Sequence, residues 1–276
     1  MSRIIRGFVL IFLWIITTPS SFAQTQAVVI PAPGSLDANG RPSAFFESAL
    51  RLALAKTADQ GEIDIHYFSH RPEKERLRKM LIQDQGIDII WSSTTAEREK
   101  DMLAIKFNLL QGINDYHLLL IRSEDQSKFE SITQLDQLRH FTVGTGIHWS
   151  DTDILKDNGF NCFVTGDYEN MFSGLRRKRF DFMVRGIHEI DTEVSTYAPL
   201  QLAVANKLLL HYPQAVYFFL NKQNKKLATR IEKGLTIAAA DGSFFQLFLQ
   251  YPEFFQAAEK INQLKSERIL LELANE

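Results

Sequence analysis

Apolar residues along this chain fall into two alternating rhythms. Short runs at 27–31, 63–68, 87–91, 116–121, 141–144, 160–165, 180–184, 200–204 and 215–220 have the length and the β-branched and aromatic content of buried strands. Between them, apolar positions recur at helical spacing. Phe45, Leu50, Leu52 and Leu54 mark a helix to about Lys56. Leu77, Met80 and Leu81 mark another, opening at Pro72 and running to about Gln83, since proline suits the first helical position. Further helices are predicted at 132–138 and from Trp149, with Ser150 as N-cap, Asp153 three residues on and Gly159 past the end. Another is capped by Asp167 and turns Met171, Phe172 and Leu175 inward, and the next begins near Gly186. Strand–helix alternation of this kind predicts α/β architecture with mainly parallel sheets.

The final section reads as helical. Leu227, Ile231, Gly234, Leu235 and Ala238 follow helical spacing, Asp241-Gly242-Ser243 breaks it, and Phe244, Phe245, Leu247 and Phe248 open the next helix as core residues. A turn is expected at 37–42. Two joints interrupt the pattern, at 111–115 and at 211–214.

The N-terminus changes the picture of where the protein works. Arg3 and Arg6 precede an apolar stretch at 8–16 and a small-residue cleavage pattern, Ser21-Phe22-Ala23, the layout of a secretory signal at 1–23. The apolar stretch is too short to span a bilayer. The expected mature chain is a periplasmic protein. Losing the two arginines takes the formal net charge from −2 to −4, which excludes the basic footprint of a nucleic-acid binder. The single cysteine, Cys162, permits no internal disulfide, and its neighbours Phe160 and Phe163 mark it as a core thiol.

The stretch 87–98 carries the chemistry. An apolar strand runs into four hydroxyls, Ser92, Ser93, Thr94 and Thr95, and then Arg98. Hydroxyls and free N–H groups at a strand end, with a guanidinium fork beyond, suit a small carboxylate. Read without a ligand, the same residues form a polar turn in which Thr95 caps a helix. Arg185, between a strand and a helix, stands at the sheet edge where open α/β folds bind ligands; the alternative is an ion pair with Glu189 or Glu193 at helical spacing. Trp149 and His148 are candidates for a cleft wall, or Trp149 for packing between helix and sheet. Phe68 is an aromatic platform or a core residue. No nucleophile elbow or zinc helix is present, and His66 and His70 fall on a strand and its turn, so no metal site or cofactor is expected.

The ordered set of motifs resembles the extracellular solute-binding proteins that serve amino-acid uptake transporters. Gly86-Ile87-Asp88 followed by Ser93-Thr94-Thr95-Ala96-Glu97-Arg98 is similar to the family's first-lobe motif. The second-lobe opening is echoed at 135–146, a further segment at 175–182 with Arg179, Phe180 and Asp181, and the closing helices at 227–248 with Asp241-Gly242. Gly146-Ile147-His148-Trp149-Ser150-Asp151-Thr152 and Arg185-Gly186-Ile187-His188-Glu189-Ile190 are similar to motifs of a stand-alone subgroup.

The resemblance implies two α/β lobes of the periplasmic binding protein type 2-like fold, joined at the two joints by a two-strand hinge and closing on a ligand. The first lobe would be discontinuous, 24–113 plus 214–276, and the second 114–213. It implies a monomer that captures a small molecule for an ABC permease or a membrane sensor. It places Arg98 on the ligand carboxylate, Ser93 and Thr95 at the hydroxyl positions, and Gly146 and Ile147 as backbone donors. His148, Trp149, Arg185, Phe68 and Glu189 complete the expected ligand site. The family's ammonium-binding aspartate falls on Gly186, which directs the expectation from standard α-amino acids toward a ligand with a second acidic or polar group. An enzyme on the same fold, dehydratase-like, is the alternative class.

Overall fold

In the computed structural model, which describes residues 26–32, 43–69 and 72–274, the apolar runs become three sheets. The expected signal segment, the turn at 37–42 and His70 lie outside the described residues. In chain order the strands are β1 (Gln26–Ile30), β2 (Ile63–Tyr67), β3 (Ile89–Ser93), β4 (Leu103–Ile105), β5 (Tyr116–Arg122), β6 (Thr142–Gly146), β7 (Asn161–Thr165), β8 (Phe182–Gly186), β9 (Leu202–Val204), β10 (Leu208–His211), β11 (Val216–Leu220) and β12 (Ile269–Glu272). The helices are α1 (Ser43–Ala55), α2 (Lys74–Ile82), α3 (Ala96–Asp101), α4 (Gln126–Glu130), α5 (Leu135–Leu138), α6 (Ser150–Asp157), α7 (Tyr168–Arg176), α8 (Ile190–Thr196), α9 (Lys225–Ala240), α10 (Ser243–Phe248) and α11 (Pro252–Glu267).

In the first lobe, β1 and β2 pair in parallel, and β11 lies antiparallel between β3 and β4. Asp88 joins the two ladders. Its carboxylate accepts from Val29 N at 2.7 Å while its own N–H donates to Val29 O at 2.9 Å. The strand therefore begins two residues later than the apolar run, at Ile89, because Asp88 is spent on β1. The predicted helix at Pro72 also starts later: Pro72 is buried and Glu73 precedes α2.

The first-lobe core is centred on Phe45, whose ring meets Phe46, Phe244, Phe248, Tyr251 and Phe254 edge-on at 4.9–6.1 Å. Phe244 and Phe248 are core as expected, but Phe245 points outward, 59% exposed, since a helix as short as α10 offers only one face to the core. Behind this cluster α9 presses against α1 so closely that a Cβ on Gly234 would sit 2.0 Å from the Ala53 carbonyl oxygen.

The second sheet has the order β12-β10-β5-β8-β6-β7, with β9 alongside β5. Leu119, Ile121, Val143, Phe182 and Val184 bury one of its faces with Phe129 and Leu155. Two features depart from the expected partition. The strand β10 is not among the expected runs and shares only His211 with the second joint, and the segment 269–272, assigned to the first lobe, pairs with β10 in parallel as β12. The chain therefore crosses between the lobes three times, at 113–115, at 212–214 and again between α11 and β12. On that third crossing Lys260 bonds Asp191 of α8 at 2.6 Å, and Lys265 lies 4.3 Å above the Tyr116 ring.

Gly234→Ala should lower the unfolding free energy by about 1–3 kcal/mol, because backbone rather than a flexible side chain must move. Urea unfolding of the two proteins checks this; an unchanged midpoint would mean that α1 and α9 separate freely.

Candidate functional site

A cleft of about 320 Å³ opens between the lobes. Its first-lobe wall is the end of β3 (Ile90, Trp91, Ser92), Arg98 of α3, and the opening of α2 with Glu75 and Arg78. Thr95 caps α3, its hydroxyl accepting from Arg98 N at 3.2 Å, which starts the helix and sets Arg98 over the strand end. From there Arg98 Nη1 donates to the Ser93 carbonyl at 2.6 Å, and Nη2 reaches across the cleft to the His148 carbonyl at 3.1 Å. One guanidinium thus ties the two lobes through their backbones.

The second-lobe wall is the β6–α6 turn and the end of β8. Gly146 is needed here, because a Cβ would come within 2.4 Å of the Trp149 indole. The turn is closed by Thr152, whose hydroxyl donates to Gly146 O and meets Thr145 at 2.6 Å. Ser150 does not act as the N-cap. Trp149 takes that position without a side-chain bond, and the Ser150 hydroxyl accepts instead from Gln214 Nε2 at 3.0 Å.

Arg185 lies inside β8, where the ladder continues two residues past the apolar run; it is only 4% exposed. Its Nε donates to both Glu193 oxygens at 2.8–2.9 Å, and Nη2 lies 3.0 Å from Glu189. The guanidinium also sits 4.7 Å from the Trp149 ring centre and 5.8 Å from that of Tyr168, whose hydroxyl donates to Glu193 at 2.8 Å. Burial opposes its charge, but Glu193 and Glu189 outweigh burial and hold its pKa well above the ordinary value. Among the described residues, this one cation faces two carboxylates.

A polar web closes the floor. Asn114 Nδ2 donates to both Gln214 O and Oε1 at 2.8 Å. The Tyr212 hydroxyl donates to Asp151 at 2.5 Å, and His117 stacks on Tyr212 at 4.1 Å with Nε2 3.5 Å from the same carboxylate oxygen. The two hinge segments, 113–115 and 212–214, are thereby bonded to each other and to the start of α6.

Of the expected residues, Arg98, His148, Trp149, Arg185 and Glu189 come together on the cleft. Four are placed behind its surface. Ser93 is 3% exposed and offers Arg98 its carbonyl, Thr95 is a cap, Gly146 lies under Trp149, and Phe68 packs on the Met80, Leu81 and Ile87 cluster. Ile147 cannot serve as a donor to a ligand, since its N–H donates to Thr165 O at 3.0 Å. The sequence reading missed Asn114, His117, Tyr212 and Gln214 as cleft or floor residues, although it marked both segments as joints.

His117 gives the floor a pH signature. Burial, only partly offset by Asp151, lowers its pKa from 6.5 to about 4, so the folded protein keeps the ring neutral. Above pH 6.5 neither state binds the proton and there is no penalty. Below it the unfolded chain takes up a proton that the folded chain refuses until about pH 4, so stability falls across that window by up to about 3 kcal/mol. Urea midpoints should fall less steeply between pH 7 and pH 4 for His117→Phe, which keeps a ring on Tyr212 but cannot titrate. Equal slopes would assign the dependence elsewhere.

No family model matches the sequence, and no curated protein matches it either. Solved structures do match. An ancestral arginine-binding protein bound to arginine aligns over 82% of this chain and 97% of its own, at 16% identity and a TM-score of 0.59. The substrate-binding protein of an amino acid ABC transporter aligns over 82% and 98%, at 13% identity and 0.57. A histidine kinase sensor domain with similarity to periplasmic binding proteins aligns over 83% and 96%, at 14% identity and 0.57. Agreement over nearly the whole length of each neighbour establishes the architecture: this chain has the two-lobed fold of the periplasmic binding proteins.

Proposed function

We propose that the protein is a periplasmic solute-binding protein that captures a small zwitterionic solute by cleft closure and presents it to a membrane partner. The observation that carries this reading is Arg98, which spans the cleft and donates to one carbonyl from each lobe. A ligand carboxylate is a stronger acceptor than either carbonyl and matches the guanidinium fork in two places. Its arrival at Arg98 therefore acts where the lobes are tied, and couples occupancy to closure.

The far wall supports the second half of the ligand class. Arg185 is engaged by Glu193 and Glu189, which argues against its serving a second acidic group on the ligand. Glu189 and Asp151 instead line the cleft as carboxylates. They take the part of the aspartate that the family places where Gly186 stands here, and suit a ligand ammonium. The cleft volume is in the range of small-molecule sites. Neighbours described as an arginine-binding protein and an amino acid transporter component support uptake, and the sensor domain supports signalling through the same closure. None is described as an enzyme, so the dehydratase-like alternative gains no support.

The test is a thermal-shift and calorimetric screen of protein purified without refolding. Solutes bearing both a carboxylate and an ammonium should raise the melting temperature, whereas dicarboxylates should not. Arg98→Ala should weaken the best hit about tenfold or more, in line with the 1.5–3 kcal/mol of a charged hydrogen bond, without unfolding the protein. Unchanged affinity would remove Arg98 from the site, and a dicarboxylate as best ligand would overturn the charge assignment.

A further inference from the structure

A second recess, of about 350 Å³, lies on the far side of the first lobe, where α9 begins beside the turn after α1. It is lined by Gln60, Lys225, Lys226, Thr229, Arg230 and Lys233. Four of the six are cations and none is an acid; Asp59, Glu62 and Glu232, their neighbours in sequence, do not line it. Lys225, Lys226 and Lys233 are exposed, and none makes an ion pair among the described residues. Arg230 differs in being 8% exposed. It donates to Thr57 Oγ1 at 3.2 Å, Gln60 O at 3.5 Å and Gly61 O at 2.6 Å, all neutral acceptors. Its buried charge has no counter-charge within the described chain, an arrangement that proteins ordinarily avoid.

The helix start is also built against local preference. A first turn favours acids and a capping side chain. Here it carries Lys225 and Lys226, and Asn224 makes no capping bond. Breaches of a local rule are expected where a segment serves function rather than stability. A bound oxyanion would meet the lysines, the open N–H groups of the turn, the Thr229 hydroxyl and the uncompensated Arg230 together.

We propose that this recess is a second binding site, separate from the cleft, for a phosphate group. A phosphate group suits a recess lined by four cations, and it can come as free phosphate or as the phosphodiester of an anionic lipid headgroup. The site does not depend on what the cleft binds.

Two arms test it at low ionic strength: calorimetric titration of the purified protein with inorganic phosphate, and co-sedimentation with phosphatidylglycerol vesicles against phosphatidylcholine vesicles. The double variant Lys226→Glu, Lys233→Glu reverses two exposed charges, and an acid in the first turn of α9 favours the helix, so folding should be kept. The wild type should bind one phosphate per chain, the double variant about tenfold or more weakly, and Arg98→Ala as well as wild type. Binding to anionic vesicles alone, again lost in the double variant, would assign the same chemistry to a lipid headgroup. Failure of both arms, binding that the double variant leaves unchanged, or loss of binding in Arg98→Ala would overturn the proposal.

Discussion

A guanidinium held at 4% exposure must have its charge met inside the protein, and the second lobe is arranged around meeting it for Arg185. Glu193 and Glu189 come from the start of α8 and the turn before it, so that helix cannot shift without breaking the pairing. Trp149 covers one side of the cation, and Gly146 is bare because Trp149 needs the space. Tyr168 brings the first turn of α7 to the same cluster. The wall that a ligand meets is therefore the outer surface of a buried ion cluster.

Against this fixed wall the first lobe presents a more economical device. Among the described residues Arg98 donates to two backbone carbonyls, one from each lobe. The contrast between the two arginines is physical. Arg185 is enclosed by anions and serves structure, whereas Arg98 stands at the cleft and bonds a carbonyl of each lobe. The floor adds a third kind of contact, neutral and buried, in which Asn114, Gln214 and Ser150 fix the hinge segments by hydrogen bonds alone.

Much of this was legible along the chain. Strand–helix alternation pointed to the α/β architecture, the Asp167 cap and the Asp241-Gly242 break are where the residue types place them, and five cleft residues lie in short motifs. The strand ends were not legible. The runs at 87–91 and 180–184 stop where side chains turn polar, but a ladder bonds backbone to backbone and continues through Ser92, Ser93, Arg185 and Gly186. Leu208–His211 and Ile269–Glu272 were missed because a four-residue apolar run has no period of its own, and only their mutual pairing makes them strands. His117, Tyr212 and Gln214 escaped for a related reason. Their partners are 34 to 100 residues distant, as with Asn114 and Gln214, so no local pattern could announce them.

The late pairing of β12 with β10 bears on how the protein is made. Leu208, Leu209 and Leu210 are fully buried, and β12 covers the flank of their strand. Until residue 272 has been synthesised, that flank is a bare apolar edge of the kind that recruits other chains. The other strands of the large sheet lie between residues 116 and 211, yet its border is finished by residues 269–272. The second lobe is therefore not a module that could be lifted out between the two hinge segments. Its completion waits on β12, a strand made only after the chain has passed back through α9, α10 and α11.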